Sequence, residues 1–211
     1  MIRGILMFKK LFLLAVLAAF AFGAEAKVSL QELLSTPNNK SLLRQLGREK
    51  ILSSKSEPGT QAIFFASAKS KPELFYLLEF YKDEAAYKKH LGSAHFKKFA
   101  SASAEILASK KAISLKKRAA FSKNLTPERL KDAYFHITNL SLKAKSDAKF
   151  EKIIKKYMQK SVDEGAYAQF AFSQKRRQTS GCWLKFTKTR LALRATATAK
   201  TTRLMPKSEL G

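Results

Sequence analysis

Glu79, Tyr81, His90 and His95 are the residues whose types and spacing could carry chemistry. Glu79 and Tyr81 are two apart, so in an extended chain both leave the same face of a strand. His90 follows Ala86 by four positions and Tyr87 by three, so on a helix it points to their side. An imidazole with an ordinary pKa near 6.5 takes and returns a proton close to neutrality. A carboxylate and a phenol beside it could orient that ring or a substrate hydroxyl. Phe64, Phe80, Phe96 and Phe99 are aromatic side chains suited to wall a pocket. The same residues admit a plainer reading: a histidine on a helix face is commonly core or surface, Glu79 could pair with a lysine, and phenylalanines at helical spacing are core.

The elements that must position these side chains follow from periodicity. Lys27 to Leu34 reads as a strand, and Pro37-Asn38-Asn39 as a turn that starts a helix. From Lys40, the stripe Leu42, Leu43, Leu46, Ile51 and Leu52 predicts a helix that ends before Glu57-Pro58-Gly59. Thr60–Ala68 and Leu74–Tyr81 are strands, the second apolar on both faces and so covered on both sides. Asp83 is a good N-cap for a helix over Glu84–Leu91. A second helical stripe runs through Phe96, Phe99, Ala100, Ser103, Ile106 and Leu107, and Ala112–Leu115 is a weak last strand. The order is βαββαβ, the ferredoxin-like α+β arrangement. It then begins again, with a strand over Tyr134–Lys143, a helix over Asp147–Val162 and a strand over Ala166–Ser173. The expected division is a complete unit over 27–118, a linker over 119–133, a partial β-α-β unit over 134–174 and a tail over 175–211.

Leu78-Glu79-Phe80-Tyr81-Lys82-Asp83-Glu84-Ala85-Ala86-Tyr87-Lys88-Lys89-His90, followed by Ser93-Ala94-His95-Phe96 and Phe99, resembles the antibiotic biosynthesis monooxygenase family. That family has a strand ending in Glu-x-Tyr or Glu-x-Trp, then an acidic turn, a helical His and a Ser/Thr-x-His-Phe stretch. The resemblance implies a ferredoxin-like domain whose sheet pairs with another copy in a dimeric α/β-barrel, as a homodimer or an internal pseudodimer. It further implies a cavity between sheet and helices. Members named quinol monooxygenases oxidise electron-rich phenolic rings with O₂ and use no metal or flavin. The partners implied are therefore a small aromatic substrate and O₂, with no cofactor. A deprotonated ring hydroxyl passes an electron to O₂ readily, so the protein must bind the ring, exclude water and accept a proton. His90, with Glu79 and Tyr81 orienting, is the expected catalytic group; His95, Phe64, Phe80, Phe96 and Phe99 are the expected substrate contacts. A neighbouring haem-degrading family also uses a helical His, as an iron ligand, together with a Trp near the haem; the one Trp here, Trp183, lies in the tail. A binding or stress protein that keeps the fold without catalysis is the other reading.

The N-terminus reads as an export signal. Arg3, Lys9 and Lys10 precede an apolar run from Leu11 to Phe22, and Ala24-Glu25-Ala26 offers a cut after Ala26. The run is short of the roughly 20 apolar residues of a spanning helix, so the expected location is the periplasm or the exterior. One Cys among 211 residues closes no internal disulfide and builds no Cys-rich zinc site. The net charge of +25 invites a nucleic-acid reading. The tail from Lys175 carries ten basic residues against Glu209, while the other lysines are scattered as a solvated surface would have them. We expect no nucleic-acid partner and at most weak contact with an anionic membrane surface. The tail has a second explanation. Synonymous codons for Trp183–Leu191 can be chosen so that a shifted frame reads Glu-Ile-Tyr-Lys-Asp-Glu-Ala, the pattern of Glu79–Ala85. A frameshift between Gln174 and Trp183 would leave the second unit spoiled and the tail disordered.

Overall fold

The computed structural model describes residues 2–7, 12–14, 26–123, 134–141, 147–174 and 177–187. Two short strands, β1 (Ile2–Met7) and β2 (Phe12–Leu14), precede the first unit. That unit runs β3 (Lys27–Ser35), α1 (Lys40–Ser54), β4 (Thr60–Ser67), β5 (Leu74–Tyr81), α2 (Glu84–Gly92), α3 (Ala94–Ile106) and β6 (Leu107–Ser122). The second runs β7 (Tyr134–Ser141), α4 (Asp147–Asp163), β8 (Ala168–Gln174) and β9 (Arg177–Thr187). No described helix is long and apolar enough to cross a membrane.

All these strands join one antiparallel sheet in the order β1-β7-β9-β8-β6-β3-β5-β4-β2. Within it β5 pairs with both β3 and β4, and β9 repeats this with β7 and β8. The sheet curls until its distant parts meet. Phe64 on β4 stacks on Phe135 of β7 with ring centroids 6.2 Å apart, and Phe80 on β5 meets Phe170 on β8 at 5.3 Å. Strand alternation sorts the side chains. Val28, Leu30, Phe64, Leu78 and Phe80 fill the barrel interior with Phe135, Ile137, Phe170 and Phe172. Leu33, Ile63, Phe65, Phe75 and Leu77 face outward, under α1 and α3.

The predicted strands and helices of the first unit stand close to where periodicity puts them, including the Asp83 N-cap, whose carboxylate accepts from Ala86 N at 2.7 Å. Three features differ from expectation. In α1, Leu42 and Leu52 are exposed, at 44% and 50%, and the buried face carries Leu43, Gly47, Lys50, Ile51 and Ser54. Secondly, β6 is not a short strand at Ala112–Leu115: it starts directly after α3 and runs to Ser122, into the expected linker. Its first half pairs with β3 and its second, from Leu115 on, with β8, and a register shift between Lys117 and Ala119 falls within that second half. That shift exchanges the two faces. Before it, Ile113 and Leu115 point into the barrel; after it, Ala119 packs outward with Ile154 and Met158 of α4. Thirdly, 177–187, expected as irregular tail, form β9. The rest of that tail, at 175–176 and 188–211, and the middle of the linker, at 124–133, lie outside the described residues.

Gly47 is where α1 comes closest to the sheet: a Cβ there would run into the Phe65 ring. Gly47→Ala gains about 1 kcal/mol in helix propensity but overpacks a buried ring, which costs about 1–3 kcal/mol. The expected net result is a loss of up to roughly 2 kcal/mol, read as a lower urea midpoint with an unchanged slope.

Candidate functional site

Under α1 and the α2–α3 corner the outward face of β3 and β5 becomes polar. Glu79 and Tyr81 leave β5 on that face, as their spacing predicts, and Gln31 reaches them from β3: Tyr81 Oη donates to Glu79 Oε1 at 3.1 Å and Gln31 Nε2 to Oε2 at 3.3 Å. Lys50, from the buried stripe of α1, places its Nζ 2.6 Å from Glu79 Oε1 and 2.9 Å from His90 Nε2. The pair is fully enclosed, Lys50 side chain 0% and Glu79 side chain 1% exposed. His90 comes from the last turn of α2 and is itself buried. Its other nitrogen, Nδ1, lies 2.7 Å from Glu57 Oε2, and the second Glu57 oxygen is 3.0 Å from His95 Nε2.

Glu57 is held by the turn between α1 and β4. Its amide donates to Ser54 O, Thr60 N donates back to Glu57 O, and Gly59 occupies φ +92, the left-handed region that glycine enters without strain. Thr60 Oγ1 donates to Glu57 Oε2 at 3.1 Å. The carboxylate thus accepts from Thr60 and faces both imidazoles.

Hydrogen-bond bookkeeping assigns the two tautomers. Lys50 has only protons to offer, so His90 Nε2 must accept, and Nδ1 carries the proton donated to Glu57. His95 is the opposite. Ser54 Oγ gives its proton to Lys50 O at 2.9 Å and Ser93 Oγ gives its own to His90 O at 2.7 Å. Their oxygens, 3.3 and 3.2 Å from His95 Nε2, are left as acceptors, as is Glu57. His95 Nε2 therefore carries the proton, and Nδ1 is its basic nitrogen.

Electrostatics agree with this arrangement. Burial alone would raise the Glu79 carboxyl, but the charge and hydrogen bond of Lys50, helped by His90 and Tyr81, hold it below the usual carboxylate range. Burial, then the Lys50 charge, push His90 down and outweigh the pull of Glu79 and Glu57, so it is neutral. Burial and Glu79 raise Tyr81 far above the usual phenol range, so it stays a donor. The sign for stability follows. Unfolded, His90 takes a proton below about pH 6.5 that the folded protein resists, so stability falls as pH drops through that region. Glu79 adds to the fall below about pH 4.5. Urea titrations from pH 7.5 to 5 are expected to show declining midpoints, at most about 1.4 kcal/mol per pH unit from one group. His90→Gln is expected to flatten that decline.

Of the expected site residues, the structure brings His90, Glu79 and Tyr81 together, with ring centroids of Tyr81 and His90 5.2 Å apart. His95 and Phe96 lie against His90 at 5.5 and 5.2 Å. Phe99 is beneath, its ring 5.7 Å from Lys50 Nζ. Phe64 and Phe80 do not belong here: they leave the opposite face of the sheet, so the pocket expected from four phenylalanines has only Phe96 and Phe99 on this side. Lys50 and Glu57, which sequence reasoning missed, tie the rest together. The solvent side is a cleft of about 40 Å³ lined by Leu46, Glu49, Lys50, Ser53, His95, Lys98 and Phe99.

Glu57, His90 and His95 could each offer a metal one ligand atom, all within 4.8 Å. The chemistry fits poorly. A His90 that ligates through Nδ1 must protonate Nε2, which would set its N–H against the Lys50 ammonium 2.9 Å away. A ligating histidine normally donates that proton to an acceptor.

A ferredoxin-like α+β chain, its strands curled into one barrel, with a Glu-Lys-His-Glu-His chain that runs from the buried Glu79 to the half-buried His95 under the helices of its first unit, is the class these observations define. The antibiotic biosynthesis monooxygenase family model matches residues 36–102, within the first unit. Solved structures share the fold over most of the chain. A proposed monooxygenase from Lactobacillus acidophilus superposes with TM-score 0.76 at 16% identity, covering 88% of each chain. One from Fusobacterium nucleatum gives 0.78 at 16% identity, over 89% of this chain and 88% of that one. An anthrone oxidase-like protein gives 0.64 at 12%, over 93% and 84%. At these identities the likeness is one of fold. No curated protein matches the sequence.

Proposed function

We propose that this protein is an exported, cofactor-independent monooxygenase that oxidises a quinol-like or phenolic aromatic with O₂. The observation that carries the reading is the His95–Glu57 pair at the cleft: an imidazole whose Nε2–H is held by a carboxylate and whose Nδ1 remains basic, beside Phe99. This is how a general base is oriented. His95 Nδ1 takes the proton of a ring hydroxyl, and the phenolate passes an electron to O₂. A ring carbon para to it, or ortho where the para carbon already carries a hydroxyl, gains one oxygen and loses its hydrogen, the ring becomes a quinone, and the second oxygen leaves as water. A phenol plus O₂ thus gives a quinone plus H₂O with no other reductant. His90, engaged by Lys50 and Glu57, acts as a positioning residue. Export rests on the basic N-terminus, the apolar run and the Ala24-Glu25-Ala26 site.

Oxygen uptake with a panel of hydroquinones, naphthols and anthrones tests this. Stoichiometric uptake lost in His95→Ala supports it; no uptake with any reduced aromatic refutes it. A cleft of about 40 Å³ is far below the roughly 300–1,000 Å³ of small-molecule sites, which favours the non-catalytic binding protein as the second reading. Entry of a ring requires the exposed Lys98–Glu49 pair, 3.8 Å apart at the mouth, to part; such a pair contributes little. The frameshift belongs with these proposals, and resequencing the gene across the codons for 174–183 decides it.

A further inference from the structure

In the first unit β6 does two jobs: it pairs with β3 from Ser35↔Leu107 to Val28↔Leu115, then with β8 from Leu115↔Gln174 to Ser122↔Ala168. The second unit repeats β3 as β7 and β5 as β9, and the counterpart of β8 in the first unit is β4. A second copy of β6 would therefore run along β7 and then along β4. Among the described residues no strand of the second unit does so. The seat is nevertheless filled. β1 pairs with β7 from Ile2↔Leu140 to Met7↔His136, and β2 pairs with β4 from Phe12↔Phe65 to Leu14↔Ile63. Both pairings are antiparallel, as those of β6 are.

We infer that the seam between β7 and β4 is a strand-acceptor site, and that the N-terminal strands Ile2–Met7 and Phe12–Leu14 occupy it in cis in place of the last strand of the second unit. Its chemistry is that of strand addition: backbone N–H and C=O groups on two edges each take a short strand, the first along β7 and the second along β4. In the exported form proposed above, a cut after Ala26 removes the occupant and bares both edges. The leader then closes the barrel only in the precursor.

Amide hydrogen exchange on the full chain reads this directly. Along a strand, successive N–H groups point to opposite neighbours. If the seat is filled, both alternate sets are protected over 63–65 of β4 and over 136–140 of β7. If it is empty, only the set facing β5 and β9 is protected, and the proposal falls. Full-length chain carrying Ile5→Pro, Leu6→Pro, Leu13→Pro and Leu14→Pro removes donors on β1 and β2. The outer set is then expected to exchange about tenfold faster or more, with the inner set unchanged. Equal outer-set rates in both proteins overturn the proposal. Should the prolines unfold the whole barrel, the protection pattern of the unsubstituted chain alone decides between a filled and an empty seat.

Discussion

Lys50→Met is expected to be the most destabilising single change in the first unit, at about 3–5 kcal/mol near neutral pH. For a chain of this size that is a fall in Tm of roughly 6–20 °C. The reason is what it leaves behind. Glu79 is enclosed, and Lys50 supplies both the opposite charge and its shortest hydrogen bond, 2.6 Å; without them a carboxylate is stranded in a dry site and the His90 Nε2 lone pair loses its donor. Two controls separate this from lost packing. Lys50→Met combined with Glu79→Gln removes the stranded charge and keeps an acceptor for Tyr81, so most of the loss is expected to return. The single variant is also expected to suffer less as pH falls, because protonating Glu79 relieves it. Unfolding by urea at pH 7.5 and 5.5 gives both comparisons; a double variant as unstable as the single one would mean that Lys50 acts through its alkyl chain alone.

The second large effect is on turnover. Replacing His95 by Gln is expected to lower kcat by about 10²–10⁴, the range of a lost general base. Glu57→Gln is expected to give a smaller loss, since the amide still meets Nε2 without the charge. His90→Gln is expected to lower kcat least of the three, because its Nε2 already faces Lys50. Steady-state oxygen uptake at saturating substrate measures all three. A His90 variant that loses the larger share of kcat while His95→Gln keeps it would exchange the roles.

Much of this site was legible because alternation and helical spacing are short-range rules. The parity of Glu79 and Tyr81 and the placing of His90 beside Tyr87 need only the local chain. Parity also holds the reason Phe80 belongs elsewhere: it is one residue from Glu79, so it leaves the opposite face of β5, and Phe64, opposite Leu78 in the register, follows it inside the barrel. Lys50 left a weak trace, a charge on a stripe with Leu43, Gly47 and Ser54. Glu57 left none, since a turn has no period and its neighbours Pro58 and Gly59 read simply as a helix stop. The long β6 was hidden by its bulge, which changes the face of every later residue. β9 was hidden because it shows no clear alternation and sits in a tail that is basic as a whole; a strand hydrogen-bonded on both sides by β7 and β8 takes its place from its neighbours as much as from its own pattern.

Nitrogen-15 NMR of the imidazoles in the full-length protein near pH 8 asks which nitrogen of each histidine bears the proton. The Glu57-centred arrangement requires His90 protonated at Nδ1 and His95 at Nε2, with His95 Nδ1 giving the shift of an unprotonated nitrogen. A His90 protonated at Nε2, or a His95 protonated at Nδ1, would mean that Glu57 does not hold the pair in this way and that the base at the cleft is not the one assigned.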